Sequence, residues 1–250
     1  MEISKNKIKY FASFAKKKTR DEEGLFIVEG NKMVAELLQT DFQVEAIVAT
    51  KEWLSNNKLC CEYYEASHEE IRKISLLQHP QDVWALVKKK GFSRDFELKE
   101  KLVLALDGVQ DPGNMGTIIR LADWFGITQI ICSNECVDVY NPKVVQATMG
   151  AIYRMSVNYV DLPAFLAKQN NREIYIADMS GENVYTTDLS QKAILVMGNE
   201  GNGISEEVAK VATKKIHIPT FNENGQTSES LNVAIATAVL CSEFKRRTIN

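Results

Sequence analysis

Residues 104–126, LALDGVQDPGNMGTIIRLADWFG, combine an apolar strand, a glycine-rich turn around Asn114 and a helix that we expect to carry Arg120 on its second turn. Such a turn usually binds phosphate, because free main-chain N–H groups and the positive end of a helix dipole attract anions. The spacing fits neither common version. Gly116-Thr117 lacks the lysine of a P-loop, and the chain contains no G-x-G-x-x-G of the dinucleotide-binding folds. The stretch therefore predicts a different kind of site.

Two further glycine-rich or polar stretches follow apolar runs. LVMGNEGNGIS at 195–205 has three glycines and a single charge, that of Glu200. IPTFNENGQTSESLNVAIATAV at 218–239 passes from a polar loop through Ser230 and Asn232 into a helix of small residues. Glycine lets the main chain approach a ligand closely. Each stretch alone has a structural explanation, since glycines make turns and hydroxyl side chains cap helices, but their order along the chain favours one shared site.

Short apolar runs alternate with helical patterns along the chain, and they define the elements that must position these groups. In the first part we predict strands near 25–30, 45–49, 61–66 and 83–89 and helices near 31–39, 51–57 and 67–77. Residues 88–101 are charged and lack a sustained apolar period, which is typical of a linker. The sequence thus predicts a small α/β domain at 1–90 and a linker at 91–100.

The alternation resumes after the linker, in a second domain at 101–250. We predict strands near 102–106, 128–132, 173–177, 194–197 and 215–218 and helices near 116–125, 142–149, 205–212 and 231–247. Buried strands separated by helices indicate a parallel sheet, whose ligand lies at the carboxyl ends of the strands. The three polar stretches occupy such ends.

The composition excludes several classes of protein. The 250 residues are 45% hydrophobic and 25% charged, and no apolar run approaches the roughly 18 residues of a membrane span. The lysine-rich start has no apolar core of a signal peptide. Five cysteines form no C-x-x-C pair, and three histidines form no H-E-x-x-H frame. We therefore expect a cytoplasmic protein with reduced thiols and with neither a membrane span nor a metal site.

Positive charge is concentrated at the two ends of the chain, although the net charge is −3. Lys16, Lys17, Lys18 and Arg20 follow further lysines at the start, and residues 245–247 read Lys-Arg-Arg. Clustered cations can bind a phosphate backbone while the rest of the surface stays acidic. The first cluster is therefore a candidate RNA contact, and a solvated helix face is the alternative explanation.

The three stretches together resemble one known family. In order they read D-G-V-x-D-P-x-N-x-G-x-x-x-R, then V-M-G-x-E-G-x-G, then I-P followed by S-L-N-V. This set resembles the SpoU (TrmH-like) branch of the SPOUT RNA methyltransferases, which methylate ribose 2′-hydroxyls with S-adenosylmethionine. The resemblance covers nearly the whole chain, because FIVEG at 26–30 and HPQDVWALV at 79–87 are similar to stretches of that family's substrate-binding domain. Glu29 of FIVEG becomes a further candidate RNA contact.

For the fold, the resemblance implies an L30e-like RNA-binding domain followed by a catalytic domain with a deep trefoil knot. Knots break the usual rule against threaded loops, so periodicity alone predicts an ordinary doubly wound sheet. The family holds S-adenosylmethionine against knotted main chain. The positions that match this cofactor site are Gly198, Ile218 and Leu231, with Met197, Asn199 and Gly203 beside them.

For the reaction, the resemblance implies a ribose hydroxyl as nucleophile. This hydroxyl is weak, so its proton must leave as the methyl group is attacked in line, and alignment supplies much of the acceleration. Arg120 suits a phosphate contact because its planar fork matches phosphate oxygens. The family's arginine is also proposed to act as the base, although guanidinium groups resist deprotonation in proteins. We predict that Arg120 is essential, as clamp or as base, and the remaining matching positions are Asn114, Glu200, Ser230 and Asn232.

The sequence departs from the family's common pattern at two places. FNENGQTSE at 221–229 lengthens the third stretch, so the loop over the cofactor is expected to differ in shape. The family's serine is assigned to Ser230 instead of Ser228 because Ser230 adjoins Leu231-Asn232. Gln146 stands where many relatives carry arginine, a change that can alter RNA contacts.

The sequence therefore predicts an RNA ribose 2′-O-methyltransferase. Ribosomal RNA, 23S rRNA in particular, is favoured because a separate N-terminal recognition domain is more usual in the ribosomal members of the family. Transfer RNA methylation and a catalytically silent RNA-binding module are the alternatives. The family also implies a homodimer with a shared active site. The helix LNVAIATAVLCSEF at 231–244 supports it independently, because the helix is apolar on much of its circumference.

Overall fold

The structure is a computed structural model, and it describes residues 1–91, 97–98, 102–222 and 230–249. The chain divides into two compact units. The first consists of Met1–Gly91 and Val139–Tyr153, and the second of Phe92–Asp138 and Arg154–Asn250. Residues 139–153 therefore group with the N-terminal part of the chain, whereas the predicted division assigned them to the second domain. Most of the predicted linker lies outside the described residues.

The first unit is a mixed α/β unit. Its elements up to residue 88 are, in chain order, α1 (Lys5–Ser13), α2 (Lys17–Glu23), β1 (Leu25–Glu29), α3 (Asn31–Leu37), β2 (Val44–Ala49), α4 (Lys51–Asn56), β3 (Glu62–Glu65), α5 (His68–Ile74) and β4 (Val83–Lys88). The strand order is β1-β4-β2-β3, with β4 antiparallel to both neighbours and β2 parallel to β3. The predicted strands and helices of this region are confirmed, and α1 and α2 are additional.

The rest of the chain again alternates strands with helices. Its elements are β5 (Leu102–Leu106), α6 (Pro112–Trp124), β6 (Gln129–Ser133), α7 (Pro142–Thr148), a 3-10 helix (Ala151–Tyr153), β7 (Ser156–Val160), α8 (Leu162–Leu166), β8 (Glu173–Asn183), β9 (Ala193–Met197), α9 (Glu206–Val211), β10 (Lys214–His217) and α10 (Val233–Arg246). Of these, α7 and the 3-10 helix belong to the first unit. Strand β7 and helix α8 were not predicted.

The second unit is built on a parallel sheet. Its strand order is β10-β8-β9-β5-β6-β7, and every neighbouring pair is parallel. All residues of β5 and β9 are buried, as expected for strands covered on both faces. The predicted parallel sheet is confirmed. The three polar stretches follow the carboxyl ends of β5, β9 and β10, where ligands of parallel sheets bind.

Helix α6 begins four residues earlier than predicted. Asp111 caps it by accepting a hydrogen bond from the N–H of Asn114 at 2.7 Å, and Pro112 occupies its first turn. Asn114 therefore lies in the helix instead of a loop, and Arg120 lies on the third turn instead of the second. The prediction was wrong because Gly113 and Gly116 indicated a turn, although the preceding Asp111-Pro112 pair is a helix start signal.

The absence of membrane-spanning helices and the presence of a knot are two further features of the predicted fold. Within the residues that the structure describes, no helix is long and apolar enough to cross a membrane. The trefoil knot and the L30e-like character of the first unit stay predictions.

Candidate active site

Three side chains join the three polar stretches by direct hydrogen bonds. Nδ2 of Asn114 donates to Oε1 of Glu200 at 3.1 Å, and Nδ2 of Asn232 donates to Oδ1 of Asn114 at 2.9 Å. Asn114, on the first turn of α6, thus bridges the loop after β9 and the start of α10. The structure brings these three predicted site residues together at one edge of the parallel sheet.

The two outer members of this network are fixed by main-chain groups. The carboxylate of Glu200 accepts hydrogen bonds from the N–H groups of Gln110 at 3.4 Å and Asp111 at 3.3 Å. Oδ1 of Asn232 accepts from the N–H groups of the first turn of α10, which makes Asn232 the cap of that helix. The alternative explanation, in which a hydroxyl side chain caps this helix, is therefore wrong. Asn232 keeps its Nδ2 free for Asn114 because its oxygen serves the helix.

The turn after β9 is held by Asn199. Its Oδ1 accepts from the N–H groups of Gly201 and Asn202, each at 2.9 Å, and its Nδ2 donates to the carbonyl of Gly108 at 2.7 Å. Main-chain hydrogen bonds in both directions join Asn199 to Gly203. Gly108 and Gly203 have φ values of 70° and 69°, a left-handed conformation that favours glycine. Asn199 therefore ties the second polar stretch to the first.

A cavity of about 680 Å³ opens beside this turn. A volume of this size suits a small organic ligand. All six predicted cofactor positions line it, together with three of the predicted catalytic residues: Met197, Gly198, Asn199, Gly203, Ile218, Leu231, Glu200, Ser230 and Asn232. At Gly198 a Cβ atom would lie 2.4 Å from the carbonyl carbon of Gly203. Only glycine fits this wall of the cavity.

Main-chain groups in the cavity are available for a ligand. Among the described residues, the N–H and C=O groups of Gly198, Ile218 and Leu231 have no hydrogen-bond partner. Buried main-chain groups are nearly always paired, so those of the half-buried Gly198 and Ile218 are candidate contacts for a bound molecule. Leu231 is 50% exposed and lines the same cavity. Apolar side chains such as Met197 and Leu240 complete the lining. The cavity therefore suits a ligand with both polar edges and apolar faces.

One side of the cavity was missed by the sequence analysis. Ala177, Asp178 and Met179 line it from β8, which extends well beyond its predicted end at 177. Asp178 accepts hydrogen bonds from the N–H and Oγ of Ser180, and these bonds hold the pKa of its carboxyl below the usual range. The rule that ligands bind at strand ends would have pointed to these residues.

Arg120 stands outside the network. Its side chain is exposed on α6, makes no hydrogen bond or ion pair with any described residue, and does not line the cavity. Trp124, four residues further on the same helix face, is 84% exposed. Ser230 lines the cavity, and Ser228 lies outside the described residues. Arg120 is therefore available to a group from outside this chain.

The lysines of the candidate RNA cluster are exposed, but Arg20 is not. Lys17 pairs with Asp21 at 2.6 Å, and Lys16 and Lys18 also face solvent. Arg20 is only 2% exposed and donates to the carbonyls of residues 14 and 15, at the turn between α1 and α2. Arg20 therefore holds the fold of this turn instead of presenting its guanidinium to phosphate.

Glu29 also lies in the interior of the first unit. Its carboxylate accepts hydrogen bonds from Oγ of Ser75 and from the N–H of Leu76. Burial raises the pKa of this carboxyl, although both hydrogen bonds oppose the shift. Glu29 fixes the loop after α5 to the end of β1, and it does not present its carboxylate to RNA.

The comparison with known sequences identifies the family. Residues 101–242 match the profile of the SpoU rRNA methylase family, and residues 5–85 match that of the MRM3-like substrate binding domain. The chain belongs to the SpoU rRNA methylase family. The SpoU match covers all three polar stretches.

Individual SpoU relatives agree with this assignment. The 23S rRNA (guanosine(2553)-2′-O)-methyltransferase RlmP of Bacillus subtilis (strain 168) is 28% identical over 246 residues, which are 96% of each chain. A TrmH-family structure from Porphyromonas gingivalis is 39% identical, with a TM-score of 0.88 over 99% of this chain and 100% of the other. The AdoMet-bound rRNA methyltransferase from Sinorhizobium meliloti is 29% identical, with a TM-score of 0.88 over 100% and 99%. The chain thus has the SPOUT-type α/β fold with a preceding substrate-binding domain.

Proposed function

We propose that this chain is an S-adenosylmethionine-dependent RNA 2′-O-ribose methyltransferase that acts on ribosomal RNA, with 23S rRNA as the first candidate. The observation that carries the proposal is the hydrogen-bonded joining of Glu200, Asn114 and Asn232 beside a cavity with unpartnered main-chain groups. The activity in the name of RlmP and the AdoMet-bound relative support the reaction and the cofactor.

The cavity fits the proposed cofactor. S-adenosylmethionine, when bound, supplies a methyl group on a sulfonium centre. Gly198, Ile218 and Leu231 would hold it through their main-chain groups, and Met179 and Leu240 would contact its apolar parts. A ligand held mainly by main chain demands close approach, which explains the requirement for glycine at 198.

The polar side chains orient the nucleotide. Glu200 holds Nδ2 of Asn114, and Asn232 holds its Oδ1. The amide therefore keeps one orientation, and the network presents a constant arrangement of donors and acceptors to the ribose. Ser230, at the cavity wall, offers a hydroxyl that can donate or accept. Arg120 has no competing carboxylate among the described residues, and its fork suits the phosphate that flanks the target ribose. The two proposed roles of Arg120 are a clamp on this phosphate and a base for the ribose proton.

RNA recognition is proposed to involve the first unit. Residues 5–85 match a substrate binding domain, and Lys16, Lys17 and Lys18 are exposed there. Clustered lysines bind phosphate backbone without reading sequence. The proposed location is the cytoplasm, where bacterial ribosomal RNA is made.

The proposed assembly is a homodimer. Helices α6 and α10 pack against each other in the second unit, yet Trp124 on α6 and Ile235 on α10 are exposed, Ile235 by 55%. Large apolar side chains exposed on adjoining helices favour an interface with a second copy. A dimer would also bring a partner's groups to Arg120, which has none in its own chain among the described residues.

Two measurements test the proposed function. Titration calorimetry measures S-adenosylmethionine binding, and a tritiated-methyl assay followed by nucleoside analysis measures transfer to RNA from a strain that lacks the gene. We expect saturable binding and 2′-O-methylated nucleosides in ribosomal RNA. Label in transfer RNA alone would favour the first alternative, and binding without transfer to any RNA would favour a silent module. Methyl groups on base nitrogens would contradict the ribose assignment.

A further inference from the structure

His217 contributes a side chain to the cavity that is proposed to hold S-adenosylmethionine. It is the last residue of β10, lies directly before Ile218 and is half-buried. An imidazole ring both donates and accepts hydrogen bonds, so the partners of its two nitrogens decide what the ring offers to a ligand.

One nitrogen of this ring is held by main chain. Nδ1 of His217 lies 2.9 Å from the carbonyl oxygen of Gly181. A carbonyl oxygen only accepts hydrogen bonds, so Nδ1 carries a proton and donates it. In the neutral imidazole the other nitrogen, Nε2, is then an acceptor. Nε2 has no hydrogen-bond partner among the described residues, and it is therefore available to a ligand.

Strand β8 bulges away from β10 where it carries Gly181. Lys215 and Ile216 follow each other on β10, but they pair with residues of β8 that lie well apart, so residues 177–181 have no partner on β10. A Cβ at Gly181 would lie 2.4 Å from the carbonyl carbon of Lys215, and only glycine fits there. The bond from His217 to Gly181 therefore fixes both this bulge and the direction of the ring.

The part of the cavity wall formed by β8 and β10 offers hydrogen-bond acceptors. Asp178, in the bulge, lines the cavity, and its carboxylate accepts from Ser180 and from Nζ of Lys215 at 3.1 Å. The described lining contains no lysine or arginine. A carboxylate of a ligand is therefore disfavoured at this wall, and a ligand group that donates hydrogen bonds is favoured.

Strand β10 is separated from the polar network by the width of the sheet between them. The order β10-β8-β9 places β10 two strands away from β9, whose turn carries Glu200. Neighbouring strands are about 4.8 Å apart, so the ends of β10 and β9 are about 10 Å apart. The network must face the methyl group of the proposed cofactor, and the ammonium group and the ribose hydroxyls both lie close to the sulfur. The 6-amino group of adenine, at the far end of the molecule, is the donor that reaches β10.

Helix α10 supplies an apolar surface to the same cavity. Ala236 and Leu240 are one turn apart on one face of α10, and both line the cavity. Ligand cavities typically combine such apolar surface with a few placed polar groups. The cavity thus has the two features that adenine requires, an apolar surface for the ring and an acceptor for the amino group.

We propose that Nε2 of His217 accepts a hydrogen bond from the 6-amino group of the cofactor's adenine, which makes His217 a determinant of cofactor specificity. This inference rests on the proposed methyltransferase function. Because Nδ1 donates to Gly181, Nε2 of the neutral ring can only accept. An acceptor favours an amino group at this position, and it gains nothing from a purine that lacks one.

Calorimetric titration with two forms of S-adenosylhomocysteine tests the contact without catalysis. This molecule keeps the adenine but has no methyl group to transfer. The second form carries purine instead of adenine and lacks only the 6-amino group. We expect the wild type to bind the purine form about tenfold more weakly. Equal affinities for the two forms overturn the inference and leave the proposed function standing. Binding of neither S-adenosylhomocysteine nor S-adenosylmethionine overturns both.

His217→Asn separates this contact from the structural role of the ring. The amide nitrogen of asparagine can replace Nδ1 as the donor to Gly181, but the variant has no atom in the place of Nε2. It should bind S-adenosylhomocysteine about tenfold more weakly than the wild type. It should also bind the adenine and purine forms equally, because the two changes delete one contact.

His68→Asn is the matched control, because His68 is exposed in the first unit and does not line the cavity. It should keep the wild-type preference for adenine. A preference in His217→Asn as strong as that of the wild type overturns the inference. If melting curves show that His217→Asn does not fold, the comparison of the two ligands on the wild type decides alone.

Discussion

Asn232 donates from its Nδ2 to Oδ1 of Asn114 at 2.9 Å, while its own oxygen caps α10. One side chain thus fixes both the start of the last helix and the orientation of the amide on α6. Because Nδ2 of Asn114 donates to Glu200, side-chain hydrogen bonds connect all three polar stretches. A change at the central amide is therefore expected to affect all three.

Asn114→Asp should make methyl transfer depend on pH. The substitution places an oxygen 3.1 Å from Oε1 of Glu200, where Nδ2 now donates. Two carboxylates this close raise the pKa of one of them, and a shared proton restores the hydrogen bond. Methyl transfer should fall about tenfold or more at neutral pH and recover in part as the pH is lowered.

The pH–rate profile measures this effect. Asn170→Asp, on an exposed turn of the same unit, is the control and should leave the profile unchanged. If Asn114→Asp lowers the rate of methyl transfer equally at every pH, repulsion between its carboxylate and that of Glu200 is not the cause of the loss.

Two glycines of the turn after β9 should respond differently to alanine. A Cβ at Gly198 would meet the carbonyl carbon of Gly203 at 2.4 Å, whereas a Cβ at Gly201 meets only Oδ1 of Asn199 at 3.7 Å. Gly198→Ala must therefore displace the cavity wall. We expect its S-adenosylmethionine affinity to fall about tenfold or more, since sub-ångström displacement at a site is costly.

Gly201→Ala is the matched control in the calorimetric titration, and its affinity should stay within about twofold of wild type. Equal affinities of the two variants would show that main chain at 198 does not bind the cofactor.

The sequence was sufficient for the parallel sheet because its strands are apolar runs that helices separate, and β5 and β9 are buried throughout. It failed for β7, SVNYV at 156–160, because polar residues interrupt the apolar pattern there. It could not place 139–153 with the N-terminal part of the chain, since no local pattern reports which unit a helix joins.

The candidate site was predictable as a set of residues but not as a network. Asn114 and Asn232 are 118 positions apart, and only the folded chain brings them together. Arg20 illustrates the opposite error. Its neighbours in sequence are exposed lysines, so it was grouped with them, although its side chain is buried. Charge runs report composition, whereas burial depends on packing.

The basic N-terminus should divide into two roles. Replacing Lys16, Lys17 and Lys18 by alanine should weaken RNA binding and flatten its salt dependence by at most about one slope unit per lost contact. Cofactor affinity and melting temperature should not change, because these side chains are exposed. Filter binding across a salt series gives the slope.

Arg20→Ala should instead lower the melting temperature, because it removes the donors to the carbonyls of Phe14 and Ala15 from a buried position. If the triple lysine variant has the same salt slope as the wild type, Lys16, Lys17 and Lys18 do not contact RNA and form only a solvated surface.

The stability of the protein should depend on pH through Glu243. Its buried carboxylate accepts from Arg246 and Arg247, and these hydrogen bonds lower its pKa from 4.5 to about 2. A carboxyl whose pKa is lower in the folded than in the unfolded state stabilises the fold fully at pH values above its unfolded pKa. This stabilisation is lost as the pH falls through the folded pKa. The stabilisation is therefore complete above pH 4.5 and disappears towards pH 2.

Melting temperatures of wild type and Glu243→Gln between pH 7 and pH 3 test this. The difference should be large at neutral pH and shrink in acid. Glu22→Gln is the control, because within the described part of the chain Glu22 forms a single exposed pair, with Lys18 at 3.8 Å, and should show little difference at any pH. A constant difference for Glu243→Gln would contradict the assigned pKa.

The last prediction concerns the active site that the proposed dimer would share. Arg120 has no partner among the described residues of its own chain, and it does not line the cavity that Gly198 closes. If each site combines Arg120 of one chain with the cavity of the other, two inactive variants should complement each other. Arg120→Ala removes the guanidinium, and Gly198→Trp fills the cavity wall, so each variant alone should be inactive.

Co-refolding equal amounts of the two variants makes about half of the dimers mixed, and a mixed dimer then has one of its two sites intact. The mixture should therefore show about a quarter of wild-type methyl transfer, and each variant refolded with itself serves as the control. Sites built within a single chain would place one lesion in every site and give no recovery. A monomer by light scattering at assay concentration would exclude the shared site before any mixing experiment.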